Sequence, residues 1–222
     1  MEEKSMATPR RNLISVSNTP YYHCISRCVR RAYLCGQDPL TGRSYEHRRD
    51  WVEKKLLQLG RIFCIDICAY AVMSNHTHLV LHIDIAKAKR LNNKAILIRW
   101  HKLFKSTFLC QRFLNGELLT QTELAAVNAR VNLYRERLSS ISWFMRVLNE
   151  SIARQANQED ECKGRFWEGR FKSQALLDEA ALAACLAYVD LNPVRSKAAD
   201  LPEQSDYTSI KSRINAAQNN KQ

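Results

Sequence analysis

The chain has 222 residues, 45% hydrophobic and 25% charged, an ordinary balance for one domain large enough to bury a substantial core. Lysine and arginine total 34 against 22 acidic residues, and the resulting net charge of +12 favours a polyanionic partner, although a merely basic protein has the same balance. The longest apolar run, residues 62–72, contains Asp66 and is too short to span a bilayer; the eight cysteines form no Cys-x-x-Cys pair, which excludes a zinc-ribbon framework.

Residues 1–18 read as a polar leader with no apolar signal segment. The expected setting is cytoplasmic, with no membrane partner and with the cysteines as small buried hydrophobes. Residues 19–27 form a first strand, and residues 28–45, with Gly36, Pro39 and Gly42, a loop. Trp51, Val52, Leu56, Leu57 and Leu59 recur at helical spacing over 47–59, with Gly60 as the stop. Residues 62–72 read as a strand, Ser74-Asn75 as a tight turn, and residues 76–83 as the returning hairpin partner. Helical patterns follow over 86–113, 123–138 and 140–158, then a strand-like segment over 163–176. Asp178 caps a last helix over 179–191, which ends at Asn192-Pro193. The order β-α-β-β-α-β-α predicts an α+β fold: a ferredoxin-like antiparallel sheet with helices packed on one face and a helical insertion at about 90–160. The single domain then covers 19–199, and 200–222 is a polar C-terminal tail.

Chemistry concentrates in two stretches. In Asn75-His76-Thr77-His78, strand alternation turns His76 and His78 to one face, a good start for a metal site, while turn residues beside a strand are an equally fair reading. His82 lies further along that face and reads as a flanking residue, not a ligand. In Tyr188-Val189-Asp190-Leu191-Asn192, the tyrosine and the amide are neighbours at i and i+4 on one helix face, together with Ala181, Ala184 and Cys185. Alone, that pair reads as a core tyrosine and a C-terminal cap. Basic residues interleave with aromatics in Arg165-Phe166-Trp167-Glu168-Gly169-Arg170-Phe171-Lys172, as nucleic-acid contact requires. There Arg170 and Lys172 are candidates for phosphate, and Trp167 and Phe171 for the core.

Taken together, these segments resemble the single-tyrosine transposases of the HUH endonuclease class, of the insertion-sequence and REP-associated types. Tyr22-His23-Cys24-Ile25-Ser26-Arg27 is similar to the opening strand, residues 69–79 to the hairpin that carries the ligands, residues 164–171 to the fourth-strand segment, and residues 188–195 to the nucleophile helix. The resemblance implies His76 and His78 as ligands of Mg²⁺ or Mn²⁺, Asn192 as the third protein ligand and Tyr188 as the nucleophile. It implies single-stranded or hairpin DNA as the partner, contacted by Arg27, Arg30, Arg31, Arg165, Arg170, Lys172, Arg195 and Lys197. The activity implied is cleavage and rejoining of one DNA strand through a 5′-phosphotyrosine. Thr77 departs from the pattern, which has a bulky hydrophobe between the histidines. The resemblance leaves monomer and homodimer both open. Two other readings stand beside it: a noncatalytic single-stranded-DNA-binding protein on the same fold, and a metal-dependent hydrolase in which Tyr188 only packs.

Overall fold

The computed structural model describes residues 14–29 and 34–219. Most of the expected leader, as well as Arg30 and Arg31, lies outside the described residues. Four strands, β1 (Tyr21–Arg27), β2 (Ile65–Val72), β3 (His76–Ile83) and β4 (Lys172–Ala175), form one antiparallel sheet in the order β2-β3-β1-β4. That is the ferredoxin-like order, with the hairpin β2–β3 at one side and β1 in the middle. The β1–β3 register sets Arg27 opposite His76 and Ile25 opposite His78, and β4 adds Lys172 opposite Ile25. Four basic or imidazole positions, Arg27, His76, His78 and Lys172, are thereby gathered at one end of the sheet before any helix is considered.

The sheet has two buried faces because its strands alternate. Tyr22, Cys24, Tyr70, Leu79 and Leu81 face the larger core, which is filled by α1 (His47–Ile62) and α6 (Ile141–Glu159). Between β3 and α6 lie α2 (Ile85–Arg90), α3 (Asn93–His101), α4 (Phe108–Asn115) and α5 (Gln121–Leu138), which extend the same core through Trp100, Val131 and Leu138. Within the 90–160 segment, α6 takes the place of the second sheet-packing helix: Asn149 Nδ2 donates to Ser26 Oγ on β1 at 2.8 Å. The opposite face holds Ala69, Ala71, Met73 and Val80, and α7 (Glu179–Asp190) covers it with Leu182, Cys185, Leu186 and Val189. The expectation of helices on one face is therefore corrected. A sheet with small apolar residues on its second face still needs that face covered, and α7 supplies the cover.

Four local readings also change. Gly60 does not stop α1, which runs on to Ile62. A Cβ at Gly60 would sit 2.8 Å from Ile67 Cδ1, so the glycine serves the close approach of β2. The strand-like 163–176 segment reduces to β4. Its first part is a loop fastened to the end of β1, with the amides of Val29 and Glu168 donating to the carbonyls of Phe166 (2.9 Å) and Arg27 (2.8 Å). The chain turns once more after Asn192, as α8 (Asn192–Arg195). The segment from Asp200 onward is not a free tail: α9 (Ser209–Asn219) packs along β2, with Thr208 bridging Ala71 and Tyr70 N donating to Ser209 Oγ at 3.0 Å. Few apolar side chains hold that segment, so its pattern looked like solvent-exposed chain.

Candidate active site

The hairpin turn fixes the histidines. Cys28 N donates to Asn75 O at 3.0 Å and Met73 N to His76 O at 2.9 Å, so the start of β3 is tied to β1 and β2. Strand alternation then sends Thr77 to the larger core and His76 and His78 to the α7 face. Their Nε2 atoms converge at 2.9 Å with the rings at 79°. On the other side, Thr77 is buried and its Oγ1 has no hydrogen-bond partner.

α7 begins at Asp178, whose carboxylate accepts from Ala181 N at 2.7 Å, and its Leu182–Val189 stripe seats it on the sheet. That seating carries Tyr188 to the histidines: its ring meets His78 edge to face at 5.5 Å and His23 at 6.2 Å. Of the small residues expected beside Tyr188, Cys185 packs on the sheet while Ala184 stays exposed. Arg195, from α8, lies over the Tyr188 ring at 5.4 Å.

A cavity of about 440 Å³ opens here. His76, His78 and Tyr188 form one wall, and Arg27, Arg170 and Lys172 contribute positive charge. Glu168, the one carboxylate among the described residues of its lining, enters from the β1-fastened loop. Burial draws the imidazole of His78 down to about 3, assisted by His76, His23 and Arg27. Burial likewise lowers His76, with help from Arg27, and His23. All three rings are therefore neutral near pH 7, the form a metal ligand needs. Two neutral imidazoles presenting Nε2 atoms to one point at a cavity wall fit a divalent cation.

Six of the sequence-predicted residues thus share one cavity: Arg27, His76, His78, Arg170, Lys172 and Tyr188. Arg195 joins them through the tyrosine ring. Asn192 is buried at the α7–α8 junction, where its carbonyl accepts from Ser196 N at 2.9 Å, and it does not line the cavity. Arg165 and Lys197 are exposed outside it. His82 pairs with Asp66 at 3.1 Å and stacks on Tyr21. Among the described residues, no group of three or more His, Cys, Asp or Glu side chains is arranged to hold a metal ion, and no helix is long and apolar enough to cross a membrane. Sequence reasoning passed over His23, Asn75 and Glu168 as site residues. His23 shares a strand face with Arg27 by alternation, but its place beside His78 follows from the β1–β3 register, which sequence alone did not fix.

No family model and no curated protein matches the chain. A solved structure does: that of a REP-associated tyrosine transposase bound to a REP hairpin, with a TM-score of 0.53 over 94% of this chain and 86% of that one, at 12% identity. The fold is that of the tyrosine transposase. The four-stranded antiparallel sheet and its helices belong to this transposase fold, and identity at this level speaks to architecture alone.

Proposed function

We propose that the protein cleaves and rejoins single-stranded or hairpin DNA, as a transposase does, with Tyr188 as the nucleophile. The carrying observation is the contact of the Tyr188 ring with His78 inside a cavity lined by Arg27, Arg170 and Lys172. The cationic side chains bind the phosphate backbone, consistent with the net charge of +12. Tyr188 Oη attacks phosphorus as the bond from phosphorus to the 3′ oxygen breaks. The products are a 5′-phosphotyrosine and a free 3′-hydroxyl, which takes up a proton in place of the one the phenol gives up. Attack by a 3′-hydroxyl on the phosphotyrosine reverses the step and joins strands with no external energy source. Arg195 holds a positive charge against the ring on which negative charge develops.

His76 and His78 would hold Mg²⁺ or Mn²⁺, imidazole ligands favouring Mn²⁺, whereas Asn192, the third ligand the resemblance implies, is buried off the cavity lining. Such a cation supplies positive charge to a non-bridging phosphate oxygen. The transposase of the same fold was solved bound to a REP hairpin, which supports hairpin DNA as the partner here.

The test is covalent trapping. The protein is incubated with end-labelled hairpin DNA and Mn²⁺ or Mg²⁺, then resolved on a denaturing gel. A protein–DNA band that disappears with Tyr188→Phe and with EDTA is the expected result. A cut product without a covalent band identifies a hydrolase. A second reading, a DNA-binding protein without the chemistry, draws on the position of Asn192 off the cavity lining and the lack of a three-ligand cluster among the described residues. It predicts retained DNA with neither cut nor adduct.

A further inference from the structure

The two histidines at the cavity are not held alone. His76 Nδ1 lies 2.5 Å from Asn75 Oδ1, and His78 Nδ1 lies 3.0 Å from His23 Nε2. His23 is buried, stacked on His78 with ring centroids 5.2 Å apart at 20°. The chain Asn75–His76–His78–His23 is thus a continuous hydrogen-bonded row in which each ring nitrogen named has one neighbour.

The chemistry of the row fixes its direction. A carbonyl oxygen only accepts, so His76 Nδ1 carries a hydrogen and its Nε2 presents a lone pair. With no cation between the rings, His78 Nε2 must then donate to His76 Nε2, and His78 Nδ1 must accept from His23 Nε2–H. A cation on the two Nε2 atoms reverses that half of the row. His78 Nε2 gives up its hydrogen to water, the His23 Nε2 hydrogen passes to His78 Nδ1, and water returns a hydrogen to His23 Nδ1. Each imidazole remains neutral and the protons balance. Only a partner with an acceptor form at that place leaves His78 free to make the change.

We propose that His23 is a positioning residue for the metal site, holding the His78 ring by its Nδ1 and switching tautomer when His78 turns its Nε2 lone pair to a cation, with Asn75 fixing His76 in the same sense. This rests on the metal-assisted reading above. Partners of this kind behind a ligating histidine are worth roughly 10–100-fold in metal affinity.

The experiment is Mn²⁺ binding to the full chain, followed by electron paramagnetic resonance, for wild type, His23→Leu and His23→Gln. Alongside it, ¹⁵N-histidine spectra of the wild type are recorded without metal and with diamagnetic Mg²⁺. His23→Leu is expected to bind Mn²⁺ about 10–100-fold more weakly. His23→Gln, whose amide oxygen can accept from His78 Nδ1–H, recovers most of the affinity. A purely structural role for His23 predicts no such recovery. The spectra should show His23 protonated on Nε2 without metal and on Nδ1 with it. Equal Mn²⁺ affinity of wild type and His23→Leu overturns the inference alone, as does a His23 tautomer unchanged by bound Mg²⁺, a reading that needs no variant to fold. Wild-type protein that binds neither cation overturns the metal-assisted reading and this inference with it.

Discussion

His78 and Tyr188 lie more than a hundred residues apart in sequence, yet their rings meet edge to face at 5.5 Å and 84°. The contact uses the ring and leaves the hydroxyl uncommitted to it. Tyr188 is 39% exposed, and the helix is seated by Leu182, Cys185, Leu186 and Val189. Tyr188→Phe therefore keeps the ring and the seating and removes the one atom proposed to attack phosphorus. The expected result is complete loss of covalent adduct, DNA affinity within a factor of two or so, and an unchanged melting temperature, since exposed substitutions stay within about 0.5 kcal/mol. Residual adduct in the variant would move the nucleophile elsewhere.

Two residues beyond Tyr188, Asp190 faces away from the cavity and ties α7 to the C-terminal helix. Its buried carboxylate accepts from Ser209 Oγ at 2.8 Å and pairs with Arg213. Asp190→Ala leaves Ser209 buried without that acceptor and Arg213 without its carboxylate, a loss of about 1–3 kcal/mol. Because α7 carries the proposed nucleophile, strand cleavage should fall further than DNA binding. Chemical denaturation and single-turnover cleavage, measured on the same preparation, check both halves. Cleavage at the wild-type rate in a destabilised variant would separate α7 positioning from this tie.

The residue between the histidines offers a gain. Thr77 points into the larger core, where its hydroxyl is buried without a partner. Thr77→Val is nearly the same size and deletes the unpaired group, so it should stabilise by roughly 1 kcal/mol. For a chain of this length that is about 2–4 °C in melting temperature. Cleavage and Mn²⁺ affinity should not change, because the side chain lies on the opposite side of β3. A lower melting temperature would mean that the hydroxyl has a partner in solution.

What the sequence made legible follows from short periods. Strand alternation is enough to set His76 and His78 on one face, and helical spacing is enough to give α7 its stripe and its Asp178 cap. The sheet order was implied by the element order. What stayed hidden depends on register and on packing between distant segments. His23 reaches His78 only because β1 pairs with β3 as it does. Gly60 resembles a helix stop, and only the approach of Ile67 explains why it sits inside α1. The helix at 209–219 is held by Ser209, Arg213 and a backbone bridge, none of which leaves an apolar signature. Asn192, one turn past Tyr188 in sequence, is buried off the lining because α7 ends at Asp190 and the chain enters a new turn.

Acid should destabilise the metal-free protein in a defined window. Burial holds His78 near 3, and it lowers His76 and His23 from the ordinary 6.5. In the unfolded chain each of these rings takes up a proton as pH falls through about 6.5, while in the folded chain it stays neutral until lower pH. The unfolded state therefore binds more protons below 6.5, so stability is full above that value and falls as pH drops from 6.5 toward 3. His78→Asn should flatten the slope by up to one proton's worth, about 1.4 kcal/mol per pH unit. Denaturant melts in EDTA at pH 7.5, 6, 5 and 4 check it. A parallel dependence in wild type and variant would remove His78 as a source.

The cavity cations make the last prediction. Arg27, Arg170 and Lys172 line one opening at the end of the sheet. If they grip the backbone of a single strand, each releases counterions, and the logarithm of the binding constant falls against log salt with a slope of about −0.7 per phosphate neutralised. Arg170→Gln and Lys172→Gln should each weaken binding of a labelled single strand and reduce the slope by about 0.7, similarly for any sequence tested. Arg165→Gln and Lys197→Gln, whose side chains lie outside the cavity, should reduce the slope less when the strand is short enough to reach only the site. Fluorescence anisotropy between 50 and 300 mM salt reads both quantities. Slopes that are the same for the cavity and outer variants would mean that the strand runs over the wider basic surface, and that the cavity does not select where it lies.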